Sequence, residues 1–313
     1  MKPLVSIVIP VYNGSDYLKQ AIDSALAQTY DNVEVIVIND GSNDNGKTEQ
    51  LAMSYGNKIR YYHKANGGVS SALNMGIQLM NGEYFSWLSH DDMYNPLKVE
   101  SQVSMLNKYK LDKAVVMCSC VQIDSNSELL KVQRQAGLYE ENILDWTEAV
   151  SHITKFSANG CSLLIPKAVF EECGGFDERL HYCQDIFMWW KIFLNGYSLI
   201  TSDYKGVLSR VHSRQLTQTG VSLYKHDALL IGKEIIPMFV DKSTRENNFI
   251  YEYAKGEAIH GNKEVVKLCI ECAKAKSLLT VVQNCTIKIL NFYGNIRPII
   301  RQLYYRFIKR VKI

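Results

Sequence analysis

From its first residues the chain alternates short β-branched runs with stretches of helical period, and that alternation constrains the fold more than any other feature. Val5-Ser-Ile-Val-Ile9 precedes a helical stretch from Tyr17 to Gln28, and Val33-Glu-Val-Ile-Val-Ile38 precedes a polar one from about Asp44 to Tyr55. The third round is Ile59 to Tyr62 with Ser70 to Met80, and the fourth is Tyr84 to Leu88 with Pro96 to Lys108. Repeated βαβ units of this kind predict an α/β fold with a mostly parallel central sheet between helices. In such sheets ligands bind where loops leave the carboxyl ends of the strands. The loops after the first, second and fourth strands read Pro10-Val-Tyr-Asn13, Asn39-Asp-Gly-Ser-Asn43 and Ser89-His-Asp-Asp92, so polar and acidic residues fall where a site is expected.

The pattern turns mixed between about residues 114 and 212, with strand-like Ala114 to Cys118, Ser162 to Ile165 and Lys205 to Leu208, and a helix-like run from Asp185 to Leu194. After about residue 220 the pattern is helical, around Leu223 to Phe239, Arg245 to Ile259 and Lys263 to Ala275. Two domains are expected, an α/β domain over 1–220 and a helical C-terminal region over 221–313, in keeping with a length of 313 residues. Hydrophobic residues at 47% and charged residues at 21% argue against disordered, collagen-like and coiled-coil classes. The start runs straight into a strand without an apolar signal region, and no window holds the roughly 18 apolar residues of a membrane span. A cytoplasmic protein whose eight cysteines stay free of disulfides is expected. Cys269-x-x-Cys272 has no second such pair and no nearby histidine pair, so structural zinc is not expected.

The net charge of +3 hides an asymmetry. No acidic residue follows Glu271, while Lys274, Lys276, Lys288, Arg297, Arg301, Arg306, Lys309, Arg310 and Lys312 do follow it, so a body of net charge −6 carries a basic tail. In that tail Ile300, Leu303, Tyr304, Phe307, Ile308 and Val311 recur at helical spacing. An apolar stripe flanked by cations is the form of an interfacial helix on a membrane surface, and equally of a helix packed on the body or on a second copy of the chain. Nucleic acid is not the expected partner, because no recognised binding motif accompanies the charge.

Adjacent carboxylates such as Asp91 and Asp92 repel unless a cation, a turn's N–H groups or an arginine offsets their charge. One reading is a divalent-metal site, since Mg2+ or Mn2+ is held by one or two carboxylates plus substrate phosphate oxygens. The other is capping of the helix that begins near Asn95-Pro96. A carboxylate at the end of the second strand, as at Asp40, can accept a hydrogen bond from a nucleobase or ribose, yet most Asp-Gly pairs are only turns, and taken alone this one reads as a turn. Asn66-Gly67-Gly68-Val69-Ser70 opens the third helix, where N–H groups face a bound diphosphate in many proteins. It lacks the Gly-Lys-Ser/Thr end of a P-loop, and no GxGxxG follows the first strand, which disfavours a dinucleotide oxidoreductase. Asp185 opens an aromatic-rich helix after Gly174-Gly-Phe-Asp-Glu178, either as a helix-terminal charge or as a general base at a pocket's lip. His212 follows a strand-like run, and a structural role and a contact to metal or phosphate both stand.

Taken in order, Val5-Ser-Ile-Val-Ile-Pro-Val-Tyr-Asn13, Asn39-Asp-Gly-Ser42, Asn66-Gly-Gly-Val-Ser70 with Asn74-Met-Gly76, Ser86-Trp-Leu-Ser-His-Asp-Asp92, Gly174-Gly-Phe-Asp177 and Gln184-Asp185 resemble the family 2 glycosyltransferases with the GT-A fold. The resemblance covers about residues 4–212. It implies a GT-A type nucleotide-binding domain and an inverting, non-processive transferase. Such an enzyme moves a sugar from a nucleotide-diphosphate sugar, by family habit a UDP-sugar, to a hydroxyl of a glycan or lipid-linked acceptor in surface polysaccharide assembly, at the inner face of the membrane. It implies Mn2+ or Mg2+ as cofactor. The residues it implies for nucleotide-sugar binding are Pro10, Tyr12, Asp40, Gly67, Gly68 and Asp91, with Tyr12 packing on the base and Asp40 on base or ribose. Asp92 would be the direct metal ligand, with Asp91 beside the ribose and the metal, and Asp185 would be the catalytic base; His212 stays a metal candidate from its own position after a strand, outside what the resemblance implies.

These residue types fit that chemistry. A positioned carboxylate takes the acceptor proton, a divalent ion offsets the charge developing on the departing diphosphate, and displacement at the opposite face needs no enzyme nucleophile. The chain departs from the family pattern at Leu73, where many relatives carry arginine, and at Ser89-His90, where the common form is Asp-x. It lacks the Gln-x-x-Arg-Trp motif of processive synthases. Two rivals stand beside this reading: a catalytically weak module that binds nucleotide sugars or glycans, and a sugar-phosphate nucleotidyltransferase, whose glycine- and arginine-rich N-terminal loop is missing.

Overall fold

The computed structural model describes residues 2–130, 139–155, 158–213, 215, 221–244, 248–281 and 283–295. The amphipathic stretch over residues 300–311 lies outside the described residues. The chain divides into two compact units, residues 1–149 with 156–221 and residues 150–155 with 222–313. Six residues of a helix that the sequence reading does not anticipate group with the C-terminal unit.

The first unit begins with β1 (Val5–Val11), α1 (Leu18–Leu26), β2 (Val33–Asp40), α2 (Lys47–Met53), β3 (Arg60–Lys64), α3 (Gly68–Leu79) and β4 (Tyr84–Trp87). It continues with β5 (Met93–Tyr94), α4 (Lys98–Tyr109), β6 (Ala114–Ile123), β7 (Asn142–Leu144), α5 (Trp146–Lys155), β8 (Leu163–Pro166), α6 (Ala168–Cys173), α7 (Gln184–Leu194) and β9 (Ser198–Arg210). Among the described residues one sheet runs β3-β2-β1-β4-β8-β6-β9-β5, with β7 paired to β9. Pairing is parallel across β3-β2-β1-β4 and between β6 and β9. It is antiparallel where β8 joins β4 to β6 and where β5 and β7 join β9.

Every residue of β1 is buried, which is why it reads as a continuous apolar run: a parallel strand covered on both faces has no solvent side to mark with polar residues. The pairing of β1 with β4 stops at Val8, while that with β2 runs on to Val11. Pro10, which has no N–H to donate, falls beyond the last β4 partner. β9 is much longer than the strand expected at Lys205 to Leu208, because the polar run Thr201-Ser-Asp-Tyr-Lys205 obscures its first half.

In the second unit α8 (Val221–Lys242), α9 (Phe249–His260) and α10 (Lys263–Ala275) are followed by a helical segment over 283–295. Asn248 caps α9 by accepting a hydrogen bond from the Tyr251 amide at 3.0 Å. Gly261 ends the same helix with φ at +76°, a conformation that favours glycine. Ile235, Ile236, Phe239, Ile250 and Tyr253 fill its core. All eight cysteines are free. No helix among the described residues is long and apolar enough to cross a membrane.

Candidate active site

Parallel pairing brings the carboxyl ends of β1, β2 and β4 to one edge of the sheet, and with them the loops that begin at Tyr12, Gly41 and Leu88. The first two loops are fastened together. The Asn13 amide donates to Ser42 Oγ at 2.9 Å, its side chain donates to Asn43 Oδ1 at 2.7 Å, and the Asn43 amide donates back to Asn13 Oδ1 at 2.8 Å. Tyr12 projects from this junction with 44% of its surface open, an aromatic face free to stack on a planar group. Gly14 lies under the third loop: a methyl there would overlap the His90 ring, so only glycine lets the two loops meet.

Asp40 is buried at the end of β2. Its Oδ1 accepts from Lys64 Nζ at 2.7 Å and from the Gly67 amide at 3.0 Å, and its Oδ2 accepts from the Gly68 amide at 2.8 Å. This corrects one sequence expectation. The Gly67 and Gly68 N–H groups at the start of α3 point at a carboxylate of the protein itself, which meets the same need for negative charge at a helix N-terminus that a diphosphate would. A carboxylate offers about four acceptor positions, so Asp40 Oδ2 retains room for one further donor.

The two carboxylates of the third loop face different ways. Asp92 is turned inward and only 5% exposed. Its Oδ1 accepts from the Arg210 amide at 2.8 Å and its Oδ2 from the Cys161 thiol at 3.4 Å. Burial, with the charge of Asp91 beside it, pushes its carboxyl up to about 8. Asp91 instead directs Oδ2 to within 3.0 Å of His212 Nε2, the two side chains being 15% and 12% exposed. The resemblance ranks Asp92 as the direct metal ligand; the geometry turns that carboxylate into the protein and leaves Asp91 with His212 at the surface of the site. The capping alternative is not realised, since α4 starts at Lys98 without a side-chain cap.

Arg210 holds this corner together, and no local signal in the sequence announces it. Its guanidinium is completely buried. Nε donates to the Asp91 carbonyl at 2.8 Å, Nη1 to the Asp124 carbonyl at 3.0 Å and to Ser127 Oγ at 3.0 Å, and Nη2 to Gln20 Oε1 at 2.6 Å. It also lies 4.3 Å from the centre of the Tyr17 ring, and that ring packs 5.3 Å from His212.

Asp185 sits half-buried in the first turn of α7, where its Oδ1 accepts from the Ile186 amide at 2.7 Å. Burial raises its carboxyl to about 6, the range suited to a base working near neutral pH. α7 is tied to β4 through rings: Trp189 meets Phe176 edge-on at 6.2 Å, and Phe176 meets Trp87 edge-on at 5.9 Å. Asn74 of α3 fixes the same loop, its Oδ1 accepting from the Phe176 amide at 2.8 Å and its Nδ2 donating to the Phe176 carbonyl at 2.9 Å. Asn74 and the Gly174-Gly-Phe stretch, distant in sequence, therefore work as one brace behind Asp185. The Asp185 carboxyl is carried on α7, and the Asp91–His212 pair on the segments that follow β4 and β9.

No group of three or more His, Cys, Asp or Glu side chains able to hold a metal occurs among the described residues. Asp91 and His212 supply one oxygen and one nitrogen donor. That set fits a divalent ion whose remaining positions are filled by substrate phosphate oxygens and water.

The sequence model described as glycosyl transferase family 2 matches residues 6–171. An uncharacterized glycosyltransferase of Rickettsia typhi is 46% identical over 245 residues, which cover 78% of this chain and 74% of that one. One of Rickettsia felis is 48% identical over 213 residues, 68% of this chain, and there the chain spans 35% of a longer relative. Among solved structures, residues 1–349 of S. aureus TarS superpose with a TM-score of 0.70 at 15% identity, over 96% of this chain and 91% of that one. The same protein in complex with UDP-GlcNAc superposes with a TM-score of 0.64 at 16% identity, over 94% and 91%.

Proposed function

The chain belongs to the family 2 glycosyltransferases of GT-A type, and on that footing we propose that it transfers a sugar, with inversion, from a UDP-sugar to a hydroxyl of a glycan or lipid-linked acceptor. Transfer is non-processive and serves surface polysaccharide assembly on the cytoplasmic side of the membrane. The observation that carries the proposal is the Asp91–His212 pair at the loop edge of the sheet, with the Asp185 carboxyl, raised to about 6 by burial, in the first turn of α7. A UDP donor is favoured by the likeness to a protein whose structure holds UDP-GlcNAc.

Each group has a definite task. Tyr12 offers a ring to the base, and Asp40 Oδ2 accepts one hydrogen bond from base or ribose. Pro10 and Val11 end β1 immediately before Tyr12. Asp91 and His212 would hold Mn2+ or Mg2+ together with the diphosphate, and the nitrogen donor would tip the choice toward manganese. When bound, the ion neutralises charge on the departing diphosphate. Asp185 accepts the proton of the acceptor hydroxyl as its oxygen bonds to the anomeric carbon, while the carbon–oxygen bond to the diphosphate breaks and its electron pair leaves with the nucleotide. Asp92 acts from behind, keeping β9 and the loop in register through Arg210.

Thermal unfolding with UDP-, GDP- and dTDP-sugars, with and without Mn2+, tests the reading together with slow donor hydrolysis. Stabilisation by UDP-sugars that needs the metal, with release of UDP, is expected. If no nucleotide sugar stabilises the chain or is hydrolysed in either condition, the transferase reading fails.

A further inference from the structure

Exposed apolar surface in the second unit gathers on one helix. Over 283–295 the inward face carries Ile287, fully buried, and Gly294, where a methyl would overlap the carbonyl of Ala258 in α9. At about 100° per residue, Cys285, Ile289, Phe292 and Tyr293 fall on the opposite side. They face solvent: Ile289 and Phe292 are each 68% exposed, and Val281, about two turns before Ile289, is 81% exposed. A helix that packs one apolar face on its own protein ordinarily turns polar groups outward. This one has two apolar faces and a single charged residue, Lys288.

Charge identifies the partner. Lys288 is exposed on this helix, Lys276 is paired with Asp241 at 3.3 Å, and the sequence from Cys272 onward has nine cations and no acidic residue. A surface complementary to an apolar, aromatic stripe in a cationic stretch of chain must be apolar and anionic at once, which is the boundary between headgroups and acyl chains of an anionic bilayer. A second copy of this face would set cations against cations, and a nucleic acid offers phosphates but no apolar layer for Ile289 and Phe292. We propose that the outward face of residues 283–293 rests on an anionic membrane surface, with Ile289, Phe292 and Tyr293 inserted at the interface and Lys288 among the headgroups. This deepens the reading above by naming the surface on which a lipid-linked acceptor is met, and its test does not use transfer.

The full chain is sedimented with phosphatidylcholine vesicles and with vesicles that also contain phosphatidylglycerol. The comparison is Ile289→Gln with Phe292→Gln, outward positions whose change leaves the core untouched, as unfolding midpoint and UDP binding will show. Wild type is expected on the anionic vesicles only, released at about 0.5 M salt and weakened about tenfold or more in the double variant. Equal binding by the variant, binding indifferent to vesicle charge, or failure to bind either vesicle overturns the proposal. So does a wild-type dimer that the two glutamines convert to monomer, which would make the face a contact between copies. In each of these cases retained UDP binding leaves the transferase reading standing.

Discussion

His212 Nε2 and Asp91 Oδ2 lie 3.0 Å apart although 121 residues separate them in the chain. The contact exists because β9 carries His212 just past its end to the loop that leaves β4, and Arg210, two residues earlier, is bonded to both carboxylates' segments through its amide and Nε. A carboxylate and an imidazole presented together beside loops fit for a nucleotide are the core of the functional account.

Asp92→Asn separates the roles of the two adjacent acids. An asparagine carbonyl still accepts from the Arg210 amide, so the variant should keep donor binding and lose at most about 1 kcal/mol of stability. Asp92→Ala leaves that buried amide unmet and should cost about 1–3 kcal/mol. Urea unfolding measures both.

Asp185→Asn should lower transfer by about 10²–10⁴-fold, the contribution of a positioned base, while UDP binding stays within about twofold of wild type. Because Asp185 must be ionised to take the acceptor proton and its carboxyl is raised to about 6, kcat should fall as pH drops below that value and level off above it. A pH–rate profile flat through that range would remove Asp185 from the role.

Arg210→Met should destabilise the protein by about 3 kcal/mol or more, since a fully buried side chain loses its charge-assisted hydrogen bonds to Asp91, Asp124, Ser127 and Gln20. Arg210→Lys restores charge but not the planar fork, and should recover only part of that loss. Both variants should weaken metal-dependent UDP binding more than they change its metal-free level.

Asp40→Asn replaces the charge that meets Lys64 Nζ and the Gly67 and Gly68 amides. Loss of charge-assisted hydrogen bonds of this kind costs about 1.5–3 kcal/mol, and calorimetric unfolding should register it even without nucleotide. A change in UDP affinity with stability intact would mean that Asp40 serves ligand alone.

β1, β2 and β4 are legible because buried parallel strands are written largely as apolar runs with loops of Gly, Asn and Asp between, whereas β3, a half-exposed edge strand of sequence RYYHK, is legible by its aromatic pair and by its place in the alternation. β9 was half-hidden by its polar stretch, and β5 and β7 are too short for any periodicity to show. The candidate residues stood out by type, but their orientations did not. Asp91 and Asp92 are neighbours of identical chemistry, and only the arrival of Arg210 and Cys161 from far along the chain decides which one turns inward. The same holds for Lys98, which reads as an ordinary helix lysine yet is fully buried, donates to Ser86 Oγ at 2.7 Å and lies over the Tyr94 ring, burial lowering its ammonium to about 8. The glycines at 14 and 76 serve contacts with His90 and Val8 that a linear pattern does not contain.

Titration calorimetry of UDP in the presence of Mn2+, on wild type and on the Asp91→Asn, His212→Ala and Asp92→Asn variants, tests the central claim most directly. The account predicts tight metal-dependent binding by wild type, affinity reduced about tenfold or more by Asp91→Asn and by His212→Ala, and near wild-type affinity for Asp92→Asn. Unchanged binding in the first two variants together with loss in Asp92→Asn would contradict it.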